Sequence, residues 1–232
     1  MQKGFLKVII IGDSGVGKTS LLEAFNYKKI SKSAKPTIGA EFTKRKVKLQ
    51  SGKEVNLQIW DTAGQERFQS LCTSFYRGTD CCILVFDLTS SESYENLNNW
   101  RSLFQQTTGD DQNQEIPIIL VGNKCDRSKN IDAETIKKDW ISNEKCKEYI
   151  EASALKLDNV DQIFQQCAIY GNEYNERMRQ SVNDMNHGGL ISINQMRKNN
   201  HGKGNVSQLN TPLNRSRSMM SHQGNNKDQC GC

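Results

Sequence analysis

The stretch FLKVIIIGDSGVGKTSLLEAF, residues 5–25, decides the fold of this 232-residue chain. An apolar run at 5–11 leads into the glycine-rich segment GDSGVGKT at 12–19, and a helical pattern, KTSLLEAFNY, follows. The order of strand, glycine-rich turn and helix predicts the first βα step of an α/β fold.

The rest of the first 178 residues continues this alternation of apolar runs and helical patterns. Further strands are predicted at 55–60, 81–88, 116–122 and 148–153, and further helices at 93–106, 132–143 and 159–176. Residues 41–50 and 55–60 flank SGK, which predicts a hairpin. The expected fold is a six-stranded, mostly parallel sheet with one antiparallel strand, flanked by about five helices.

Composition divides the chain into a body and a tail. We expect one domain at 5–178, because 179–232 is rich in Asn, Gln, Ser and Gly, a composition that favours disorder. Residues 1–170 carry 23 Lys and Arg against 22 Asp and Glu, whereas 171–232 carry 8 against 4. The basic tail fits an anionic membrane surface or a merely solvated segment equally well.

The sequence also argues against some classes of protein. No run of 18 apolar residues is present, so we expect no membrane-spanning helix. Clusters of aromatic and arginine residues that would contact bases are missing, so no nucleic-acid polymer is expected as a partner. Six of the eight cysteines are scattered through the body, which favours the reducing cytosol over a disulfide framework.

The segment at 12–19 matches G-x-x-x-x-G-K-[ST], in the strand-to-helix context that this phosphate-binding motif requires. Its backbone N–H groups and the helix N-terminus would bind phosphate, Lys18 would reach the β- and γ-phosphates, and the Thr19 hydroxyl would bind Mg²⁺. The motif alone leaves kinases, ATPases and GTPases open. The predicted nucleotide-binding residues of this loop are Ser14, Gly15, Val16, Gly17, Lys18, Thr19 and Ser20.

The segment NKCD supplies Asn123, Lys124 and Asp126 directly after a predicted strand, at the sheet edge where α/β proteins bind ligands. The Asp126 carboxylate can accept both adjacent N–H donors of guanine, whereas adenine presents an acceptor there. This pattern favours a guanine nucleotide.

The segment WDTAGQERF adds the chemistry of hydrolysis. Asp61 can orient Mg²⁺ through a bound water, the Gly64 N–H can meet the γ-phosphate, and Gln65 can position the attacking water. Lys18 and Gln65 are the predicted catalytic residues.

The segments GDSGVGKT, TIGAEF, WDTAGQERF, NKCD and EASAL resemble the Ras superfamily of small GTPases in order and spacing. IGAEF, AGQERF and FYRG resemble the Rab family, and ERFQSL, FYRGTDCCILVFD and NWRSLF are most similar to its late-endosomal and lysosomal branch. The resemblance covers 5–175 and implies a P-loop GTPase fold.

The resemblance also implies roles for further residues. Thr37 would bind Mg²⁺ and the γ-phosphate, and segments 30–43 and 62–78 would be the two switches. The last base-binding motif would be Ser153, Ala154 and Leu155. The aromatic triad that faces effectors in the family would be Phe42, Trp60 and Phe75, with ordinary core aromatics as the alternative.

The implied ligands are GTP, GDP and Mg²⁺, and the implied protein is a monomeric switch in vesicle trafficking. Its expected partners are effectors, an exchange factor, a GTPase-activating protein, a GDP-dissociation inhibitor and a prenylation escort protein. Hydrolysis is expected to be slow until a partner supplies an arginine. The alternatives are a GTP-binding recruitment module with negligible hydrolysis and a phosphotransferase, for which no acceptor-binding segment is left over.

Three positions depart from the family pattern. Ile30 stands where an aromatic residue usually packs on guanine, Leu155 replaces a lysine whose stem lies over the base, and Ala34 replaces a common tyrosine. These changes predict weaker base packing and faster nucleotide release, unless Tyr27 or Leu155 itself supplies the missing contacts.

The sequence CGC places Cys230 and Cys232 after the polar tail. The pattern is not C-a-a-X, but it resembles the paired cysteines that carry geranylgeranyl groups in Rab proteins. Two lipid chains give stable anchoring where one does not. We expect both cysteines to be lipidated and the protein to divide between the cytosol and the cytoplasmic face of intracellular membranes, at late endosome, lysosome or vacuole.

Overall fold

The computed structural model describes residues 4–31, 37, 39–64, 74–109 and 115–199, with side chains described as far as residue 183. One six-stranded sheet has the order β2-β3-β1-β4-β5-β6, in which only the β2–β3 pairing is antiparallel. The strands are β1 Leu6–Ile11, β2 Ala40–Lys48, β3 Glu54–Thr62, β4 Cys81–Asp87, β5 Ile118–Asn123 and β6 Glu148–Glu151. This confirms the predicted sheet.

Helices cover both faces of the sheet. They are α1 Lys18–Tyr27, α2 Ser91–Glu95, α3 Leu97–Thr108, α4 Ala133–Ile136 with a π-helical continuation Lys137–Ile141, and α5 Val160–Asn199. The Ser90 side chain accepts a hydrogen bond from the Ser93 N–H at 3.2 Å and caps α2. The sequence predicts one helix at 93–106, but the structure has two helices here, α2 and α3, which meet at Asn96.

Alternate residues of the central strands enter two separate cores. Val8 and Ile10 of β1 join one core with α1 and α5, whereas Ile9 and Ile11 join the other with α3 and α4. Strand β4 is buried along its whole length, as expected for a central parallel strand covered on both faces. The two cores together fix the carboxyl ends of β1, β4 and β5 at one edge of the sheet. The segments GDSGVGKT and NKCD lie at this edge, after β1 and at the end of β5.

The last helix does not end where the sequence pattern predicts. The helix bounds are Val160–Asn199, so the helix continues beyond the predicted segment 159–176. The disorder expected from composition for 179–232 stays a prediction. No proline lies between Pro117 and Pro212 to end a helix there. The chain divides into two units, Met1–Asn186 and His187–Cys232. The domain boundary at 178 stays a prediction.

Candidate functional site

The glycine-rich loop connects β1 to α1 and folds around the side chain of Lys18. Gly17 has a φ of 98°, and a Cβ there would lie 2.3 Å from Asn123 Nδ2, so only glycine fits. The Lys18 ammonium donates to the backbone oxygens of Gly12 at 2.8 Å and Asp13 at 2.7 Å. Lys18 is buried, so its charge is fixed next to the N-terminus of α1, a favourable position for binding phosphate.

Three predicted cation ligands come together from three separate segments. Thr19 Oγ1 donates to Asp61 Oδ2 at 2.6 Å and lies 2.9 Å from Thr37 Oγ1. Thr37 Oγ1 lies 3.3 Å from the same carboxylate oxygen. The site thus joins α1, β3 and the one described residue of the 32–38 segment.

The Asp61 carboxylate has the properties of a cation ligand. The residue is buried, and its second oxygen, Oδ1, is buried without a hydrogen-bond partner among the described residues. Burial raises the pKa of Asp61 against the lowering effect of the Thr19 hydrogen bond and of Lys18. Hard oxygen ligands of this kind fit Mg²⁺, which commonly takes one carboxylate with hydroxyls, phosphates and water.

Gly64 lies directly against the phosphate loop. A Cβ at this position would lie 2.3 Å from Lys18 Nζ and 2.5 Å from the Asp13 backbone oxygen. The backbone of Gly64 therefore lies so close to the loop that a side chain would push the two apart. Gln65, the predicted water-positioning residue, lies outside the described residues.

Asn123 connects the two halves of the site. Its Nδ2 donates to the Val16 backbone oxygen at 2.8 Å, and its Oδ1 accepts from the Ala154 N–H at 3.2 Å. It is almost fully buried. Asn123 thus fixes the loop after β6 against the phosphate loop, beside the predicted base site.

Asp126 and Ser153 form the polar wall of the predicted base site. Ser153 Oγ donates to Asp126 Oδ1 at 2.5 Å and accepts from the Lys156 N–H at 3.0 Å. The hydroxyl orients one carboxylate oxygen, and the exposed carboxylate can accept hydrogen bonds from a base.

These residues surround a cavity of about 270 Å³. The lining is Gly15, Gly17, Ser20, Ile30, Asn123, Lys124, Asp126, Arg127, Ala154 and Leu155. The structure therefore brings both departures from the family pattern that it describes, Ile30 and Leu155, to the same cavity. Tyr27 is not among the described residues that line it, and Ala34 lies outside the described part of the chain.

Sequence reasoning missed two carboxylates of this region. Asp87 Oδ2 lies 2.6 Å from Lys124 Nζ, and the Asp13 carboxylate accepts from helix α3. Asp87 could have been identified from the sequence, because it is the last residue of the apolar run of β4. It lies at the same edge of the sheet as Asn123, with which it pairs in register. Asp13 carried no such signal.

The three predicted effector-facing aromatics form one cluster. The ring centroids are 5.1 Å apart for Phe42 and Trp60 and 5.3 Å apart for Trp60 and Phe75. Phe42 is half exposed, while Trp60 and Phe75 are partly buried against the core that contains α3 and α4. The cluster is thus both a core extension and an accessible apolar surface.

Some predicted features fall outside the described residues: 32–36 and 38 of the first switch segment, 65–73 of the second, and Cys230 and Cys232. Within the described part of the chain, no helix combines the length and the hydropathy needed to cross a bilayer.

Comparison with known proteins gives consistent matches. The sequence model of the Ras family matches residues 7–170. The chain is 48% identical over 169 residues to Ras-related protein Rab7 of Prunus armeniaca, covering 71% of this chain and 80% of that protein. It is 46% identical over 167 residues to Ras-related protein RABG3f of Arabidopsis thaliana, with 71% and 81% covered. It is 45% identical over 166 residues to GTP-binding protein YPTC5 of Chlamydomonas reinhardtii, with 70% and 80% covered.

Proposed function

The chain belongs to the Ras family of small GTPases and is Rab7-like, and we propose on this basis that it is a GTP/GDP switch that recruits effectors. As a member of this family it hydrolyses GTP, uses guanine nucleotides and Mg²⁺, and acts in vesicle trafficking. We further propose the switch mechanism, the roles of individual residues and the identity of the membrane to which the protein is anchored.

The contact between Thr37 and the Thr19–Asp61 pair carries the switch proposal. Thr37 belongs to the first switch segment, yet its hydroxyl lies 2.9 Å from Thr19 Oγ1 and 3.3 Å from Asp61 Oδ2. A segment held at the cation site in this way responds to whether a γ-phosphate is present, because the same hydroxyl can bind phosphate and Mg²⁺. Release after hydrolysis would then change the surface presented to effectors.

In the proposed nucleotide complex, the backbone of Ser14–Thr19 and Ser20 bind the phosphates, and Lys18 neutralises charge on the β- and γ-phosphates. Thr19, Thr37 and Asp61 would hold Mg²⁺, and the ion would offset the negative charge of the phosphates. Asp126 selects guanine, supported by Asn123 and Ser153.

Gln65 would position the attacking water, with the Gly64 N–H on the γ-phosphate. We propose that intrinsic hydrolysis is slow until a GTPase-activating protein inserts an arginine, an effect of order 10³–10⁵ in rate. The regulators would thereby determine how long the protein stays in its GTP-bound state.

Phe42, Trp60 and Phe75 are the proposed effector contact, since Phe42 is half exposed above the other two rings and aromatic residues are typical interface anchors. Geranylgeranyl groups on Cys230 and Cys232 would anchor a monomer to the cytoplasmic face of late endosome, lysosome or vacuole. An exchange factor, a GDP-dissociation inhibitor and a prenylation escort protein complete the proposed cycle between cytosol and membrane.

Two measurements test the proposal. Nucleotide extracted from the purified protein should be GDP or GTP, whereas ATP would overturn the guanine assignment. Single-turnover hydrolysis should accelerate with a Rab-type activating protein, and Gln65→Leu should lose that acceleration while retaining bound nucleotide. If the wild type retains GTP as long as Gln65→Leu does, with the activating protein present, the chain is a recruitment module instead.

A further inference from the structure

The side chain of Asp13 has no role in the site as described so far, although the residue lies within the phosphate loop. Its Oδ1 accepts a hydrogen bond from Trp100 Nε1 at 2.6 Å, and its Oδ2 accepts from Asn96 Nδ2 at 2.9 Å. Asn96 directly precedes helix α3 and Trp100 lies in its first turn. Trp100 is 5% exposed and Asp13 is partly buried, so this bond is partly shielded from water. The carboxylate thus joins the phosphate loop to α3 through both of its oxygens.

The backbone of the same residue contacts the reacting end of the site. The Asp13 carbonyl oxygen accepts from Lys18 Nζ at 2.7 Å, and a Cβ on Gly64 would lie 2.5 Å from it. Asp13 therefore contacts α3 through its side chain and both Lys18 and Gly64 through its backbone. Hydrogen bonds to an ionised carboxylate are stronger than neutral ones, so the connection is firm.

We propose that Asp13 is a positioning residue that sets the rate of nucleotide release by holding the phosphate loop against Trp100 and Asn96. A glycine-rich loop loses much conformational freedom when it closes around a ligand. The α3 contact orders the loop beforehand, which lowers the cost of binding and slows dissociation. The inference rests on the phosphate-loop assignment under the proposed function.

The test measures dissociation of a fluorescent GDP analogue from the full chain with Mg²⁺ present. Asp13→Ala removes both acceptors, and Trp100→Phe removes the donor while keeping an aromatic ring. Each variant should release GDP about tenfold faster, as expected for losing a hydrogen bond to a charged group. Because both variants break the same contact, their effects should not multiply in the double variant.

An exchange of partners gives a rescue. Asn96→Asp alone sets two carboxylates against each other and should release GDP faster, while Asn96→Asp combined with Asp13→Asn restores a donor–acceptor pair with the roles reversed. Asp is also a favourable residue before a helix. The combined variant should recover a GDP dissociation rate near that of wild type, and one as fast as Asp13→Ala would contradict the assigned contact.

Tyr94→Phe is the matched control for a purely structural effect. It removes the hydrogen bond from the Tyr94 hydroxyl to Asp139 Oδ2 at 2.9 Å, on helix α2 next to α3. This variant should lower the melting temperature without changing GDP release. If Asp13→Ala and Trp100→Phe behave in the same way, the inference is overturned while the nucleotide site stands. A wild type that binds no guanine nucleotide would overturn the proposed function and this inference together.

Discussion

Lys124 Nζ lies 2.6 Å from Asp87 Oδ2 and 2.9 Å from the backbone oxygen of Gly15. Lys124 has a φ of 65°, an uncommon value for a residue with a side chain. Asp87 in turn accepts from the N–H and hydroxyl of Thr89 at 2.9 and 2.8 Å. One carboxylate at the end of β4 therefore fixes the lysine that joins the base cavity to the phosphate loop.

Asp87→Asn should accelerate GDP dissociation by about tenfold, because the Lys124 ammonium loses its ionised partner. The change keeps the side-chain shape and an acceptor for Thr89. Glu54→Gln is the control: its partner Lys46 lies 3.1 Å away in an exposed pair, which contributes little. Equal GDP release from the two variants would count against a positioning role for Asp87.

The same carboxylate predicts a pH dependence of stability. Burial acts to raise the pKa of Asp87, but the hydrogen bonds from Lys124 and Thr89 outweigh it and hold the pKa below its ordinary value of 3.8. The ionised group therefore stabilises the folded state above pH 3.8, and this contribution is lost as the pH falls through the lower folded-state pKa. The difference in melting temperature between wild type and Asp87→Asn should shrink over that range. A difference that stays constant would show that Asp87 does not contribute through its charge.

Ile30→Phe should slow GDP release. Ile30 and Leu155 line the base cavity, and an aromatic face would add stacking on the base of roughly 1–3 kcal/mol, or about tenfold and more in rate. Tyr27→Ala is the companion variant, because Tyr27 is exposed and lies outside the lining of the cavity. We expect the rate of GDP release from Tyr27→Ala to equal that of wild type. An unchanged rate in Ile30→Phe together with faster release in Tyr27→Ala would instead assign the base contact to Tyr27.

Gly64→Ala should reduce GTP hydrolysis by about a hundredfold, the effect of displacing a reacting group by about 1 Å. The added methyl would lie 2.3 Å from Lys18 Nζ and 2.5 Å from a backbone oxygen, so the peptide must move away from the phosphate loop. GDP affinity should change much less. Gly4→Ala is the control, since nothing lies within 4 Å of a Cβ there. Normal single-turnover hydrolysis by Gly64→Ala would contradict the close approach.

Much of the fold followed from the sequence because local pattern and tertiary role agree there. The bounds of α1, Lys18–Tyr27, match the predicted segment KTSLLEAFNY, since the glycine-rich turn fixes where the helix begins. Strands β4 and β5 are uninterrupted apolar runs, which only a sheet covered on both faces can bury. The fold class and the family were therefore both confirmed.

Other features could not be predicted, because they depend on contacts between residues distant in sequence or on helix boundaries that the local pattern does not mark. Asp13 and Trp100 are 87 residues apart, and neither residue type signals the other. The end of α5 lies beyond the predicted residue 176, because the apolar helical pattern fades in the polar sequence that follows while no proline interrupts it. The split at Asn96 was missed because helical periodicity runs through it.

Trp60 and Asp61 are consecutive residues of β3, where successive side chains point to opposite faces. One of them joins the aromatic cluster and the other reaches Thr19 at the cation site. The two surfaces are thus separated by a single peptide bond, a rise of about 3.4 Å. Because the proposed effector contact at Trp60 adjoins Asp61 in this way, we expect a substitution of Trp60 also to change the rate of GDP release. An engineered specificity at this surface must be screened for both properties at once.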